Sequence, residues 1–465
     1  MSLAAGPSGP YPGPRGPSAR PRTGPPPGRL PRLLSGTGIP LSLNEHLARY
    51  GPLPRHRARG AGAAELIAEV SAAGLTGRGG AAFPAGTKLA TVAAAAARPG
   101  RGRGGSAPVV VANAMEGEPG SGKDALLLAR SPHLVLDGIA LAALATGAGQ
   151  AWLCVPAGQP ALAAAARAAI AERDRAGPDQ VLVRVTPVPG GYLASQETAL
   201  VSWLSGGPQK PSFVPPRPAE AGVRGRPTLV QNAETLAHLA LIARYGAAWF
   251  RSVGVPPEAG SALVTVSGAV PYPGVLETPL GTPLGTVLAQ AGLAPAAGAA
   301  GRPGPPGPVH QPGAVLAGGY LGGWLTWPGA AAVPVSAAGL RRAGAALGPG
   351  TLAVLPAVAC GLAQTARILA YLSSHRAGQC GPCTHGLPAL AEAFGQIAFA
   401  RPHPRTIETA GQLTGLLPGR GACHLPDGGA GLAASALRVF AADLRWHAGH
   451  GPCPAAAATA QEAAR

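Results

Sequence analysis

The chain has 465 residues, with 37 Lys or Arg against 20 Asp or Glu, for a formal net charge of +17 at pH 7. That charge would suit nucleic acid or an anionic surface. However, the Arg are scattered through Gly-, Pro- and Ala-rich sequence, aromatics are only 4%, and no nucleic-acid motif appears, so a polyanion-binding role is set aside. Six Cys are too few for a disulfide framework in so long a chain and fit a reduced compartment with a metal site.

Taken in order, residues 1–42 are rich in Pro, Gly and Arg and are expected to form a disordered tail. Leu66, Ile67 and Val70 predict a helix over 60–73, which leads into Gly74-Leu75-Thr76-Gly77-Arg78-Gly79-Gly80-Ala81-Ala82-Phe83-Pro84-Ala85-Gly86-Thr87-Lys88. Glycines without a Cβ let backbone N–H groups approach an anion or a flat ring, and the Lys adds a point charge. Only three Lys occur in the chain; Lys88 closes this loop and Lys123 closes Asn113-Ala114-Met115-Glu116-Gly117-Glu118-Pro119-Gly120-Ser121-Gly122-Lys123. Val109–Ala112 reads as a buried strand with Asn113 at its carboxyl end, the end at which open α/β sheets bind ligands.

Helices are expected over 132–148 and 161–173, and strands over 151–155 and 181–188; this alternation predicts a mostly parallel sheet. The loop Gly190–Gln196 enters a helix at Glu197, a Pro-rich connector covers 208–218, and Gly225–Thr235 opens a helix reaching Tyr245. From 262 to about 333, short strands separated by Gly/Pro turns indicate a small β-rich module, with a low-complexity mobile insertion at 298–313. From about Ala353 the chain reads as helical, and a tail is expected beyond His447. No apolar stretch reaches the roughly 18–20 residues of a membrane span, so the expected location is cytoplasmic, with any membrane association through a partner.

Cys380 and Cys383 in a C-x-x-C spacing, with Cys423 arriving from a distant loop, can hold iron or zinc; two leftover buried thiols are the plainer reading of the pair. Cys154 and Cys360 lie in apolar runs and read as small core residues, and Cys453 reads as incidental.

Four motifs in a fixed order, Gly77–Leu89, Asn113–Ala125, Gly191–Leu200 and Gly225–Thr235, make the chain resemble the NADH-binding flavoprotein (the 51-kDa, or F, component) of respiratory complex I and its counterparts in NAD-dependent formate dehydrogenases and hydrogenases. The resemblance runs from about Leu43 to His447. It implies an α/β fold: a Rossmann-like FMN- and NADH-binding domain (43–255), a β-grasp domain of the SLBB type (256–340) and a helical iron–sulfur domain (350–448), followed by a disordered tail (449–465). FMN is then expected on Gly77, Arg78, Gly79 and Gly80, with Lys88, Asn113, Glu116 and Asn232 around it. NADH is expected between the flavin and Phe83, with Glu118 and Glu197 near its ribose and amide. Cys380, Cys383 and Cys423 would ligate a 4Fe-4S or 3Fe-4S cluster, the fourth usual Cys being Ala377 here, with water, His375, His385 or His424 as a substitute.

The resemblance implies an NADH:acceptor oxidoreductase that delivers electrons to a ferredoxin, a thioredoxin-like 2Fe-2S protein or a membrane redox partner. Two departures bear on this: the family's Lys and Phe in its K-P-P-F-P segment align with Val214 and Arg217, and Ala82, Gly117, Ser195 and Gln196 differ from the family's residues. A flavin/iron–sulfur electron carrier without NADH binding and a redox-silent scaffold are the alternatives.

Overall fold

A computed structural model describes residues 25–36, 38–98, 107–177, 181–293 and 311–463. The expected mobile insertion lies outside the described residues up to 310, as does the first part of the N-terminal tail.

Strands β1 (Val109–Asn113), β2 (Gln150–Pro156), β3 (Leu182–Val188) and β4 (Thr228–Asn232) form an all-parallel sheet in the order β3-β2-β1-β4. β1 and β4 are buried almost throughout, and their Val/Leu-rich runs follow from burial on both faces. The register pairs Asn113 with Asn232, so two amides stand side by side at the carboxyl edge of the sheet.

The helix Pro132–Thr146 is mostly apolar and buried almost throughout, as a helix enclosed on every side must be, with His133 and Asp137 buried in it. It packs on the helix Ala233–Tyr245, and a Cβ on Gly138 would lie 2.0 Å from the Leu236 carbonyl oxygen. The helices approach too closely for any side chain there. Gly138→Ala is therefore expected to destabilise by about 1–3 kcal/mol despite the better helix propensity of Ala; a thermal melt of the purified variant checks the sign.

Next to Gly138, the buried Asp137 carboxylate accepts from His46 Nε2 (2.7 Å), from Arg173 Nη1 (2.8 Å) and from Arg244. Burial alone would raise its pKa, but the Arg244 charge foremost, with the His46 hydrogen bond and Arg173, holds it well below the ordinary carboxylate range.

After a two-residue antiparallel pair, β5 (Gly254–Val255) and β6 (Glu258–Ala259), come β7 (Ser261–Gly268), β8 (Gly274–Pro279), β9 (Pro312–Ala317), β10 (Gly323–Thr326) and β11 (Thr351–Pro356). They form a five-stranded sheet in the order β10-β9-β11-β7-β8, antiparallel except for β11 beside β7. β11 corrects the reading of a helical stretch beginning near 350. Thr351–Pro356 is a short apolar run, and periodicity cannot tell a buried strand of that length from a helix start.

The C-terminal part is helical: Gly361–Ser374, Leu387–Phe399, Pro404–Leu416, Leu425–Val439, Ala441–His450 and Pro454–Ala463. Trp324 on β10 docks the sheet onto it, its Nε1–H donating to Thr365 Oγ1 (2.9 Å) and its ring meeting Phe440 edge-on.

Described parts of both expected tails, 25–36, 38–42 and 454–463, are packed on the protein. From Pro25 the chain packs on the α/β domain. Leu33 and Arg32 are fully buried, the Arg32 guanidinium lies 4.0 Å from the Trp249 ring centroid and donates to the Phe250 carbonyl, and Glu277 accepts from the Arg32 and Leu33 N–H groups. At the other end Pro454–Ala463 is a helix whose Ala456 is buried, because its small residues pack flush against the bundle.

No single helix among the described residues is long and apolar enough to cross a membrane. The pair Lys123–Arg130 and Pro132–Thr146 passes that test only together, bent by 98°, and the second is a buried core helix.

Candidate functional site

The glycine loop begins where Gly74, at φ +70°, ends the helix Ala61–Ala73 in the left-handed conformation. The loop is closed by a bridge between Thr76 and Pro84 and by the Gly77 N–H donating to the Phe83 carbonyl (2.8 Å). Its apex crosses the carboxyl edge of the parallel sheet. A Cβ on Gly79 would lie 3.4 Å from Asn232 Cβ, while Gly80 holds φ +120°. Ala82, where the resembling family carries Gly, also sits at positive φ (+50°), so the turn keeps a glycine conformation at a cost of about 1–2 kcal/mol.

Asn113 and Asn232 meet beneath this loop. The Asn113 amide donates to the Ser195 carbonyl (2.8 Å). Asn232 caps the helix Ala233–Tyr245 through its Oδ1, and its Nδ2 donates to Asp124 Oδ2 (2.5 Å). Lys123 lies next to them, fully buried, with Nζ 2.9 Å from Asp124 Oδ1, 2.9 Å from Glu234 Oε2 and 3.1 Å from Asn232 Oδ1. Burial alone would lower the lysine's pKa, but Asp124 and Glu234 hold the ammonium above its ordinary value. Glu234, despite burial, is drawn down to about 2 by Lys123 and its neighbours, whereas burial pushes Asp124 up to about 6.

The expected site residues take distinct places. Arg78 turns away from the loop's open face: it is buried, donates to Thr76 Oγ1 (2.8 Å) and the Ser261 carbonyl (3.1 Å), and its Nε lies 3.8 Å from Glu234. Glu116, at φ +46°, accepts from Ser121 Oγ and from the Asp124 and Ala125 N–H groups, so both its oxygens cap the helix Lys123–Arg130. Lys88 and Glu197 form an ion pair at 3.0 Å, each partly open to solvent. Phe83 is 41% exposed beside the loop. Val214 is exposed on the Pro-rich connector, and Arg217 stands at the start of the short helix Pro218–Ala221.

Glu118 is buried among three tyrosines from three parts of the chain. Its Oε2 accepts from Tyr192 Oη (2.9 Å) and the Tyr320 N–H (3.0 Å), and Tyr371 packs edge-on against both rings. Its Oε1 is buried and meets no hydrogen-bond partner of ordinary geometry, the Gly120 N–H being the backbone donor near enough to act on the carboxyl. Burial raises the Glu118 pKa, and burial together with Glu118 raises that of Tyr192. Close packing fixes this corner: a Cβ on Gly117 would lie 2.6 Å from Ser195 Oγ, and one on Gly319 would lie 2.4 Å from the Glu118 carboxyl carbon.

Sequence reasoning includes Asp124 in the acidic stretch 113–124 but assigns no role to it, to Glu234 or to the tyrosines. The scarcity of acidic residues is the available signal for the first two. Nothing in the sequence joins Tyr320 to Glu118, 202 residues away.

Cys380 and Cys383 bracket the start of a π-helical turn, Pro382–Gly386, with the Cys383 and Thr384 N–H groups donating to the Cys380 carbonyl. Cys383 is buried and its Sγ accepts from the Gly378 N–H (3.2 Å); Cys380 and Cys423 are half-buried. Burial, with Cys383 and Cys380 as neighbours, pushes the Cys423 thiol up. Of the substitute ligands considered, His424 is exposed and bonded to Asp427 (3.2 Å), and His375 stacks on Tyr371.

Among the described residues the group of three whose ligand atoms all lie within 4.8 Å of one another is Cys360, His447 and Cys453, not Cys380, Cys383 and Cys423. Cys360 and Cys453 are thus neither of them isolated.

Residues 70–241 match the family model of the Nuo51 FMN-binding domain, and residues 363–447 match that of the NADH-ubiquinone oxidoreductase-F iron-sulfur binding region. The chain is 30% identical over 399 residues to the second F subunit of the NADH-quinone oxidoreductase of Rhizobium meliloti, covering 84% of this chain and 90% of that protein. It is 31% identical over 414 residues to the NADH-quinone oxidoreductase F subunit of Mycobacterium bovis, covering 84% and 86%. Among solved structures, an NAD+-reducing [NiFe]-hydrogenase in the H2-reduced state superposes with a TM-score of 0.70 at 29% identity, over 88% of this chain and 67% of that one.

Proposed function

This chain belongs to the family of NADH-quinone oxidoreductase F subunits, and on that premise we propose that it is an oxidoreductase component that takes electrons from NADH through FMN to an iron–sulfur centre and onward to a protein acceptor. The observation that carries the reading is the meeting of the glycine loop with the carboxyl edge of the parallel sheet. A loop lacking side chains at Gly77, Gly79 and Gly80 lies over two paired Asn at the carboxyl edge of adjacent parallel strands, with the buried Glu118 Oε1 in the loop that follows one of them. A flat ring with polar edges fits that donor and acceptor set, and glycines without a Cβ leave the loop's backbone N–H groups open to it.

When bound, FMN supplies the conversion between two-electron uptake of hydride and single-electron release. The residues do the rest. Asn113 would offer its amide to the ring's polar edge, and Asn232, its amide spent on Asp124, the Asn113 carbonyl, Lys123 and the Glu234 N–H, would form the floor beside it. Glu116 shapes the loop through its capping bonds, and Arg78 fastens the loop's inner side to β7 and Glu234. Phe83 offers an exposed face for a nicotinamide to stack on, while Glu118 and Glu197 stand for its ribose and amide. Cys380, Cys383 and Cys423 supply three thiolates for the cluster, with Ala377 leaving the fourth position to another ligand. The five-stranded sheet is read as the SLBB-type β-grasp domain. A ferredoxin or a thioredoxin-like 2Fe-2S protein is the class of acceptor that suits one-electron delivery.

One observation favours the alternative in which NADH does not bind: the Glu197 carboxylate is engaged by Lys88, and Val214 supplies no cation at its place. Cys383→Ser separates the steps. It is expected to abolish the iron–sulfur absorbance and reduction of a one-electron protein acceptor while leaving NADH-driven flavin bleaching intact. Loss of bleaching in a folded Cys383→Ser protein would count against this division of labour.

A further inference from the structure

We propose that Cys360, His447 and Cys453 form a second metal site, for a single zinc ion, apart from the Cys380, Cys383 and Cys423 set. Cys360 caps the N-terminus of the helix Gly361–Ser374, and the segment bearing Cys380 leaves from that helix's other end. His447 lies on the helix Ala441–His450, and Cys453 lies between it and the last helix.

The imidazole is set up as a ligand. His447 is fully buried, and its Nδ1 is 2.9 Å from the Ile397 carbonyl. A carbonyl only accepts, so Nδ1 carries the proton and the Nε2 lone pair is the one directed at the thiols. A backbone acceptor behind a ligating His is the usual means of fixing its tautomer. Nε2 lies 3.8 Å from Cys360 Sγ. A tetrahedral zinc with Zn–S of about 2.3 Å and Zn–N of about 2.0 Å would place those atoms about 3.5 Å apart, so little movement is required.

Cys360 Sγ already accepts from the Ala363 N–H (3.4 Å), which holds the sulfur at the helix N-terminus. The bond that zinc would replace is the Cys453 N–H donating to Nε2 at 3.2 Å. Cys453 is half-buried, which leaves the fourth position open to water. Two thiolates with one imidazole form a donor set that suits zinc. Binding releases two thiol protons and transfers no electrons. The ion would staple the last two helices to the first helix of the domain.

The test is zinc stoichiometry by native mass spectrometry on the full-length chain isolated with its iron in place, with and without a chelator, followed by alkylation. One zinc per chain is expected. Cys453→Ser, the half-exposed ligand, should weaken its binding about 100-fold or more while iron content stays unchanged. Alkylation of the half-buried Cys453 should occur only after chelation. Because His447→Gln removes a buried group and can unfold the bundle, Cys453→Ser and the alkylation pattern carry the decision. Zinc content unchanged in Cys453→Ser would overturn the proposal. So would a metal-free chain lighter by two hydrogens with Cys453 closed to alkylation, since that is a disulfide.

Discussion

Lys123→Met is expected to cost about 3–5 kcal/mol of folding free energy, the range for removing one partner from a buried ion pair, and to leave the surviving protein depleted in flavin. The side chain is enclosed, and its three partners lie at 2.9–3.1 Å. Without the ammonium, Asp124 and Glu234 face each other in a site closed to water. Asn232 loses the contact that orients its Oδ1, and the amide pair at the sheet edge is no longer fixed.

The pH dependence follows from Glu234. Its folded pKa is depressed to about 2 from the ordinary value of 4.5, so its contribution is present above the higher value and is lost as pH falls through the lower. Removing Lys123 should therefore move the onset of acid unfolding to higher pH. Urea unfolding at neutral and mildly acidic pH, with flavin content read on the same samples, checks both effects. Lys210→Met, at the exposed third lysine, should change stability by less than about 0.5 kcal/mol and serves as the control.

Glu118→Gln is expected to move stability and NADH affinity in opposite directions. Burial raises the Glu118 pKa above the ordinary 4.5. A raised carboxyl contributes stability that is complete below the ordinary value and is lost as pH rises through the folded one. A neutral isostere should then stabilise the protein at pH 7, with the bonds from Tyr192 and the Tyr320 N–H retained by its amide oxygen.

Binding should suffer. On the proposed reading Oε1 accepts from a ribose hydroxyl, and losing a hydrogen bond to a charged group costs about 1.5–3 kcal/mol, or roughly a 10- to 150-fold rise in the NADH KM. In the parent protein the KM should rise as pH falls through the raised pKa, and in Glu118→Gln that dependence should flatten. A variant with unchanged KM and pH profile would show that Glu118 only holds the tyrosines together.

Much of the site can be read from sequence because it is local. Gly77 to Lys88 and Asn113 to Lys123 are continuous stretches, and a strand ending in Asn before a loop shows where a parallel sheet opens to ligand. The direction of individual side chains cannot be read in this way. Arg78 looks like an anion ligand by position, yet its guanidinium is claimed by Ser261 and Glu234, contacts made 183 and 156 residues on. Glu116 looks like a site acid, but a left-handed backbone turns it onto the next helix.

β11 escapes the sequence pattern because a six-residue apolar strand, buried between two neighbours, has no period of its own. Cys360, His447 and Cys453 look unrelated in sequence because only packing of the terminal helices brings them together. The Gly138 contact is hidden by its setting in a helix with apolar residues on every face.

The most direct test of the account is an anaerobic visible spectrum of the purified chain before and after NADH is added. The account predicts bound flavin whose bands bleach on addition, with a broad iron–sulfur absorbance beneath them that depends on Cys383. Flavin that binds but does not respond to NADH, or a chain that takes up neither FMN nor iron on reconstitution, would contradict it.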